Sequence, residues 1–253
     1  MKKYTLLEVV QSTLESMGSD PVDTILETPE SSIVASIAQD VFFDMAVKGD
    51  WKHLRIATTL TALADATHPN YFSIPDGIED IQSIKYNIKT DAADPEKFEE
   101  IQYIEDPNYF LELVHTRTST DSNVDTITDF GGASLFIIND AVPSYWTTFG
   151  DDYIIFDSYL ATLDATMPAN KTVLYGTKAP TWTASDAAVP DMPGKMFPAY
   201  LERVKAVCHA DILKAESSVH TREAISLATS ISTKNTITKN PNGTHRAPRY
   251  GRK

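Results

Sequence analysis

The feature that most limits what this chain can fold into is a change of hydrophobic period, helical towards both ends and strand-like between them. Leu7, Val10, Leu14 and Met17 recur at +3, +4 and +3, with Thr5 and Glu8 forming a capping-box pair at the start and Gly18 supplying the stop. A second helix is predicted from Thr28, with Pro29 in its first turn. It runs through Ile33, Ile37, Val41 and Met45 at strict +4 spacing, widened by Val34, Ala38 and Phe42, to Gly49 before Trp51. Helical spacing returns at Phe197, Leu201, Val204, Cys208 and Ile212, and again at Ala224, Leu227, Ala228 and Ile231.

Between these ends the β-branched and aromatic runs IATTLTAL, IEDIQSIKYNI, ASLFIIND, DYIIFDSYL and KTVLYG are separated by clusters of Asn, Asp, Pro and Gly. The exception is PNYFLELVHTR from Pro107, a short helix with proline in its first turn. Amphipathic elements must bury their apolar sides against one another. The expected fold is therefore α+β, a helical layer from both chain ends with an inserted antiparallel β-rich region and an extended C-terminal tail. The expected boundaries are 1–51 for the N-terminal helices, 52–190 for the insertion, 191–233 for the C-terminal helices and 234–253 for the tail.

Charge sets the tail apart. The chain has 22 Lys and Arg against 35 Asp and Glu. Six of those bases, Lys234, Lys239, Arg246, Arg249, Arg252 and Lys253, stand in the last twenty residues, where there is no acid. The remaining body thus holds 16 bases against 35 acids, a surplus of 19 negative charges. With Pro241, Gly243, Pro248 and Gly251 spaced through it, the tail is expected to stay disordered until it meets an acidic partner or a nucleic acid. An acid surplus in the body repels phosphate and counts against a nucleic-acid binder.

No apolar run approaches the roughly 18 residues that span a bilayer, and Glu8 interrupts the opening MKKYTLLEVVQSTLES, so a cytoplasmic product without a membrane partner is expected. One cysteine, Cys208, excludes an internal disulfide or a multi-cysteine zinc site and reads as a small buried hydrophobe.

The acids of PSYWTTFGDDYIIFDSYL, residues 143–160, are the candidates for chemistry. In a strand each residue advances about 3.3 Å, so Asp151 and Asp157 lie roughly 20 Å apart, and Asp151 and Asp152 face opposite ways. A glycosidase-type pair needs about 5 to 9.5 Å. The simpler expectation is a half-buried strand, Ile154, Phe156 and Leu160 on one face and Tyr153, Asp157 and Tyr159 on the other. The alternative function is a carboxylate-dependent hydrolase of bacterial surface polysaccharide, using two of Asp151, Asp152, Asp157 and Asp164 with Trp146 and Trp182 as sugar platforms.

Other motifs carry little. Asp129-Phe130-Gly131 matches the kinase magnesium tripeptide without the glycine-rich loop, catalytic loop or lysine strand that would accompany it. Cys208 and His209 are adjacent on a helix and so point about 100° apart. The six histidines lack metal-ligand spacing. The expectation is no catalytic residue, no cofactor, no metal and no enzyme.

The linear order of KGDWKHL, FSIPDGIEDIQSIKYNI, INDAVPSYWTTFGDDYIIFDSYL, KTVLYGTKAPTW, DMPGKMFPAYLERVKAVCHADIL and a basic end resembles the head-to-tail adaptors of short-tailed bacteriophages, also called tail tubular protein A. The likeness spans most of residues 5 to 230. It implies a homo-oligomeric ring, usually of twelve copies, in the tail or neck of a virion assembled in the host cytoplasm. The ring would join the portal protein to the tail nozzle, sometimes carry tail fibres, and pass double-stranded DNA through its lumen without specific binding. In that setting Asp151, Asp152 and Asp157 become surface and inter-subunit acids. The portal-binding candidates are Lys234, Lys239, Arg246, Arg249, Tyr250, Arg252 and Lys253.

Overall fold

A computed structural model describes residues 2–47, 51–89, 95–150, 152–215 and 217–239, with residues 230–239 described by backbone alone. Along the chain run α1 (Leu6–Met17), α2 (Pro29–Val47), β1 (Arg55–Thr58), β2 (Thr61–Ala62), β3 (Tyr71–Ser73), β4 (Ile78–Asn87), β5 (Phe98–Tyr103), α3 (Pro107–His115), β6 (Val124–Thr128), β7 (Ser134–Ile138), β8 (Tyr145–Thr147), β9 (Tyr153–Phe156), β10 (Thr172–Lys178), α4 (Phe197–Asp211) and α5 (Ser218–Lys239). They form two units, one of Met1–His53 with Pro180–Lys253 and one of Leu54–Ala179. The fold is α+β.

In the helical unit, α1 begins and ends as its sequence dictates. Thr5 accepts from the Glu8 amide while Glu8 accepts from the Thr5 amide, and Gly18 closes the helix at φ 76°, where a side chain would be strained. Leu6, Val9, Val10 and Leu14 are buried against α2 and α4. The buried face of α2 is Ser31, Val34, Ala38, Val41 and Phe42, which keeps the predicted Val41 and its flanking Val34, Ala38 and Phe42 but not the rest of the Ile33–Met45 line. Ile33 is 50% exposed, and Ile37 and Met45 are only half-buried. A +4 row drifts about 40° per step on a 3.6-residue helix, whereas alternating +3 and +4 steps hold one face towards the core. The predicted end of α2 at Gly49 lies outside the described residues.

Phe197, Val204 and Cys208 of α4 are buried as predicted, joined by Ala199 and Tyr200. The Tyr200 hydroxyl donates to the Ala38 carbonyl at 2.9 Å, fixing α4 on α2. The segment before α4 belongs with the helices. Ala188 accepts from the Leu6 amide at 2.8 Å, Asp186 accepts from the Ile25 amide at 2.8 Å, and Trp182 packs on Phe42 with ring centroids 5.1 Å apart.

In the β unit an eight-stranded sheet runs β1-β10-β4-β5-β8-β9-β3-β2, with β6 and β7 as a separate hairpin. The strands pair antiparallel as expected except at one place, where β5 and β8 are parallel with Tyr103 opposite Trp146. Their connection runs through α3 and the β6–β7 hairpin, the long crossover that a parallel pair requires. Strand β9 is not half-buried as predicted. Ile154, Ile155 and Phe156 are all buried, as are Asp157, Ser158 and Tyr159 after them. β9 lies between β8 and β3 and is covered on both faces, with Phe72 and Tyr86 against Phe156. Strand β4 is irregular. Its register with β10 shifts twice, and an added Cβ at Gly176 would stand 2.2 Å from the Asp80 carbonyl, so the close approach at this bulge requires glycine.

Candidate functional site

Asp157 sits where four segments of the β unit converge. One carboxylate oxygen meets the Arg117 guanidinium at 2.9 Å, and the other accepts from the Ser144 and Tyr145 amides at 2.9 and 2.8 Å. Arg117 also donates to the carbonyls of Phe136 and Asp157. Every oxygen of this carboxylate is occupied by a donor, and its side chain is 6% exposed. Asp157 is thus neither the surface acid nor the inter-subunit acid expected. It is a buried bracket that ties the end of β9 to the start of β8, to β7 and to the segment after α3. A carboxylate so buried and held on both oxygens is committed to the fold rather than presented to a substrate.

The other acids are dispersed. Asp152 is exposed, Asp164 forms an ion pair with Lys171, and Asp151 lies outside the described residues. Trp146 is 4% exposed with its indole N–H donated to the Ile101 carbonyl, which withdraws it as a sugar platform. Trp182 belongs to the helical unit, on Phe42.

The Asp129-Phe130-Gly131-Gly132 stretch is the turn of the β6–β7 hairpin. Asp129 accepts from the Gly131 amide at 2.8 Å and from the Tyr71 hydroxyl at 2.8 Å, and Gly132 takes φ 87°. Phe130 stacks between His68 and Tyr153, at centroid distances of 4.2 and 4.6 Å. His68 in turn meets Asp65 at 2.8 Å and donates through Nε2 to the Thr128 carbonyl at 2.9 Å. His68 holds the Asp65 carboxyl down at about 2, with the Thr67 amide and hydroxyl adding to the effect. The tripeptide therefore latches a hairpin, and sequence reasoning had no signal for the His68 and Tyr153 partners.

Cys208 is fully buried, and burial pushes its thiol up to about 12, far from a reactive thiolate. The His209 and His220 rings lie 5.2 Å apart at a tilt of 39°, and His220 meets Glu202 at 2.6 Å. Among the described residues no three His, Cys, Asp or Glu side chains gather into a metal-holding group, and no helix is long and apolar enough to cross a membrane.

Of the basic candidates, Lys234 and Lys239 belong to α5, which continues to Lys239 where the sequence predicted a disordered tail from 234. No Pro or Gly interrupts residues 218–239, which lets the helix run past the predicted boundary. Arg246, Arg249, Tyr250, Arg252 and Lys253 lie outside the described residues.

No family model and no curated protein matches the chain. Among solved structures it is similar to a chain described as "Neck of empty GTA particle computed with C6 symmetry", at 10% identity and a TM-score of 0.25, covering 86% of each chain. A similarity at that score carries no conclusion about fold or function.

Proposed function

We propose that the chain is a structural head-to-tail adaptor of a bacteriophage, a ring-forming subunit between the portal and the tail nozzle that lines part of the DNA conduit. The reading rests on the sequence resemblance above. It is supported by one structural observation, that both chain ends build a single helical unit around a common core while the β unit is inserted between them. That helical unit leaves Leu26, Ile33, Val47, Val219 and Ile225 half or more exposed, apolar surface that assembly with further copies or partners would cover. The acid surplus suits a conduit, because carboxylates facing a lumen repel DNA phosphates and keep the duplex sliding.

In this proposal the ring has twelve copies, resides in the virion neck after assembly in the host cytoplasm, and docks on the portal through Lys234, Lys239, Arg246, Arg249, Tyr250, Arg252 and Lys253. The tail nozzle binds the opposite side, and tail fibres are further candidate partners. Catalysis, a cofactor and a metal have no part in it. The hydrolase alternative is disfavoured by the burial of Asp157 and the donors that hold both its oxygens, and by the burial of Trp146. The test is to mix the purified chain with portal-bearing heads and image the product. A ring on the portal supports the reading, and turnover of bacterial surface glycan by the free chain would replace it.

A further inference from the structure

The eight-stranded sheet parts in the middle. β5 pairs with the second half of β4, from Phe98 opposite Asn87 to Ile101 opposite Ile84, and its last residues, Gln102 and Tyr103, pair with β8 instead. The first half of β4 is thus left without β5 as a neighbour, and the gap is a cleft of about 360 Å³. Ile78, Glu79, Asp80 and Ile81 form one wall, and Tyr103, Trp146 and Thr148 line the other side. A regular strand would turn alternate residues away. The two register shifts of β4 against β10, one at Tyr175/Gly176 and one at Thr177/Lys178, let four consecutive residues line the same space.

The lining has a definite chemistry. Tyr103 is 49% exposed and packs on Trp146 at 4.4 Å, offering an aromatic surface to the cleft. The carboxylates of Glu79 and Asp80 are exposed and, among the described residues, have no hydrogen bond or ion pair to another side chain. Two unpaired carboxylates beside an aromatic surface form a receptor for a planar cation, which a carboxylate binds in bidentate fashion while the ring takes its face.

We infer that this cleft binds a guanidinium group, and that its occupant is an arginine of residues 240–253 from a second copy of the chain. That segment contains Arg246, Arg249 and Arg252 and no acid. Its fourteen residues follow Lys239 and can reach about 50 Å when extended, enough to cross to a neighbouring subunit. Three arginines allow one to enter the cleft while others serve the portal. The inference does not depend on the adaptor reading, since it concerns pairing between copies of this chain.

The test uses full-length chain carrying R246Q/R249Q/R252Q, so that its own segment does not compete, and measures binding of a synthetic peptide of residues 240–253 by calorimetry. Agmatine is the free-guanidinium probe. The expected result is peptide binding that agmatine competes away and that E79Q/D80N or Tyr103→Ala weakens at least tenfold. D20N/D23N, removing equal charge from the helical unit, should change it less than twofold. Equal losses in the two double variants would reduce the effect to general acidity and overturn the inference. Binding of agmatine without the peptide would overturn the assigned occupant. Binding of neither, in protein whose melting temperature is unchanged, would overturn the site.

Discussion

Arg117 and Asp157 stand forty residues apart in sequence and meet at 2.9 Å in the interior of the β unit, 13% and 6% exposed. Removing one partner of a buried ion pair leaves the other charge uncompensated, at a cost of about 3 to 5 kcal/mol. Arg117→Ala should therefore lower the unfolding free energy by about that amount, read from urea denaturation. A loss below about 1 kcal/mol would mean the pair does not hold the sheet together.

The two faces of α2 offer a contrast on one helix. Phe42 is 2% exposed and Ile33 is 50% exposed. Phe42→Ala should cost about 3 to 5 kcal/mol from lost burial and the cavity left behind, whereas Ile33→Ala should stay within about 0.5 kcal/mol. Thermal unfolding of the two variants side by side checks the assignment, and equal losses would restore the predicted Ile33–Met45 face.

This rotated face illustrates what the sequence could and could not convey. Local signals were legible because their causes are local: the Thr5–Glu8 box, the Gly18 stop, Pro107 at the start of α3 and the runs that became β1, β4, β7, β9 and β10. The burial of β9 on both faces was not legible, because it depends on β3 and on Tyr86 of β4 arriving from distant parts of the chain. β5 was missed for a related reason. Its sequence FEEIQY buries Ile101 alone, and part of its fit comes from β4, where Lys85 stands opposite Glu100. Charge at Asp157 gave no hint of Arg117, whose partners are mostly backbone groups brought in by topology.

The hairpin latch gives a pH dependence with a defined sign. Asp65 has its carboxyl lowered from 3.8 to about 2, first by His68 and then by Thr67. A depressed carboxyl contributes stability that is fully present above the unfolded value and is lost as pH falls through the folded one. The contribution should be complete above about pH 4 and disappear towards pH 2. Carboxyl-carbon NMR titration of Asp65 checks this. Titration near its ordinary value in the folded protein would show that His68 is not its partner in solution.

The basic end should make docking salt-sensitive. Six bases without an acid gain Coulombic attraction from portal carboxylates, and the Debye length falls from about 10 Å at 0.1 M salt to about 3 Å at 1 M. Substituting Arg246, Arg249 and Arg252 with Gln should weaken binding to portal and flatten its salt dependence, while the melting temperature stays unchanged. Unaltered affinity and an unaltered salt slope would remove the segment from the interface.

The measurement that bears most directly on the adaptor proposal is electron cryomicroscopy of the purified full-length chain mixed with portal-bearing capsids. The account predicts a closed ring of twelve copies seated on the portal, with the helical units packed side by side and density for residues 240–253 at an interface. A chain that stays monomeric and leaves the portal bare at micromolar concentration would contradict it.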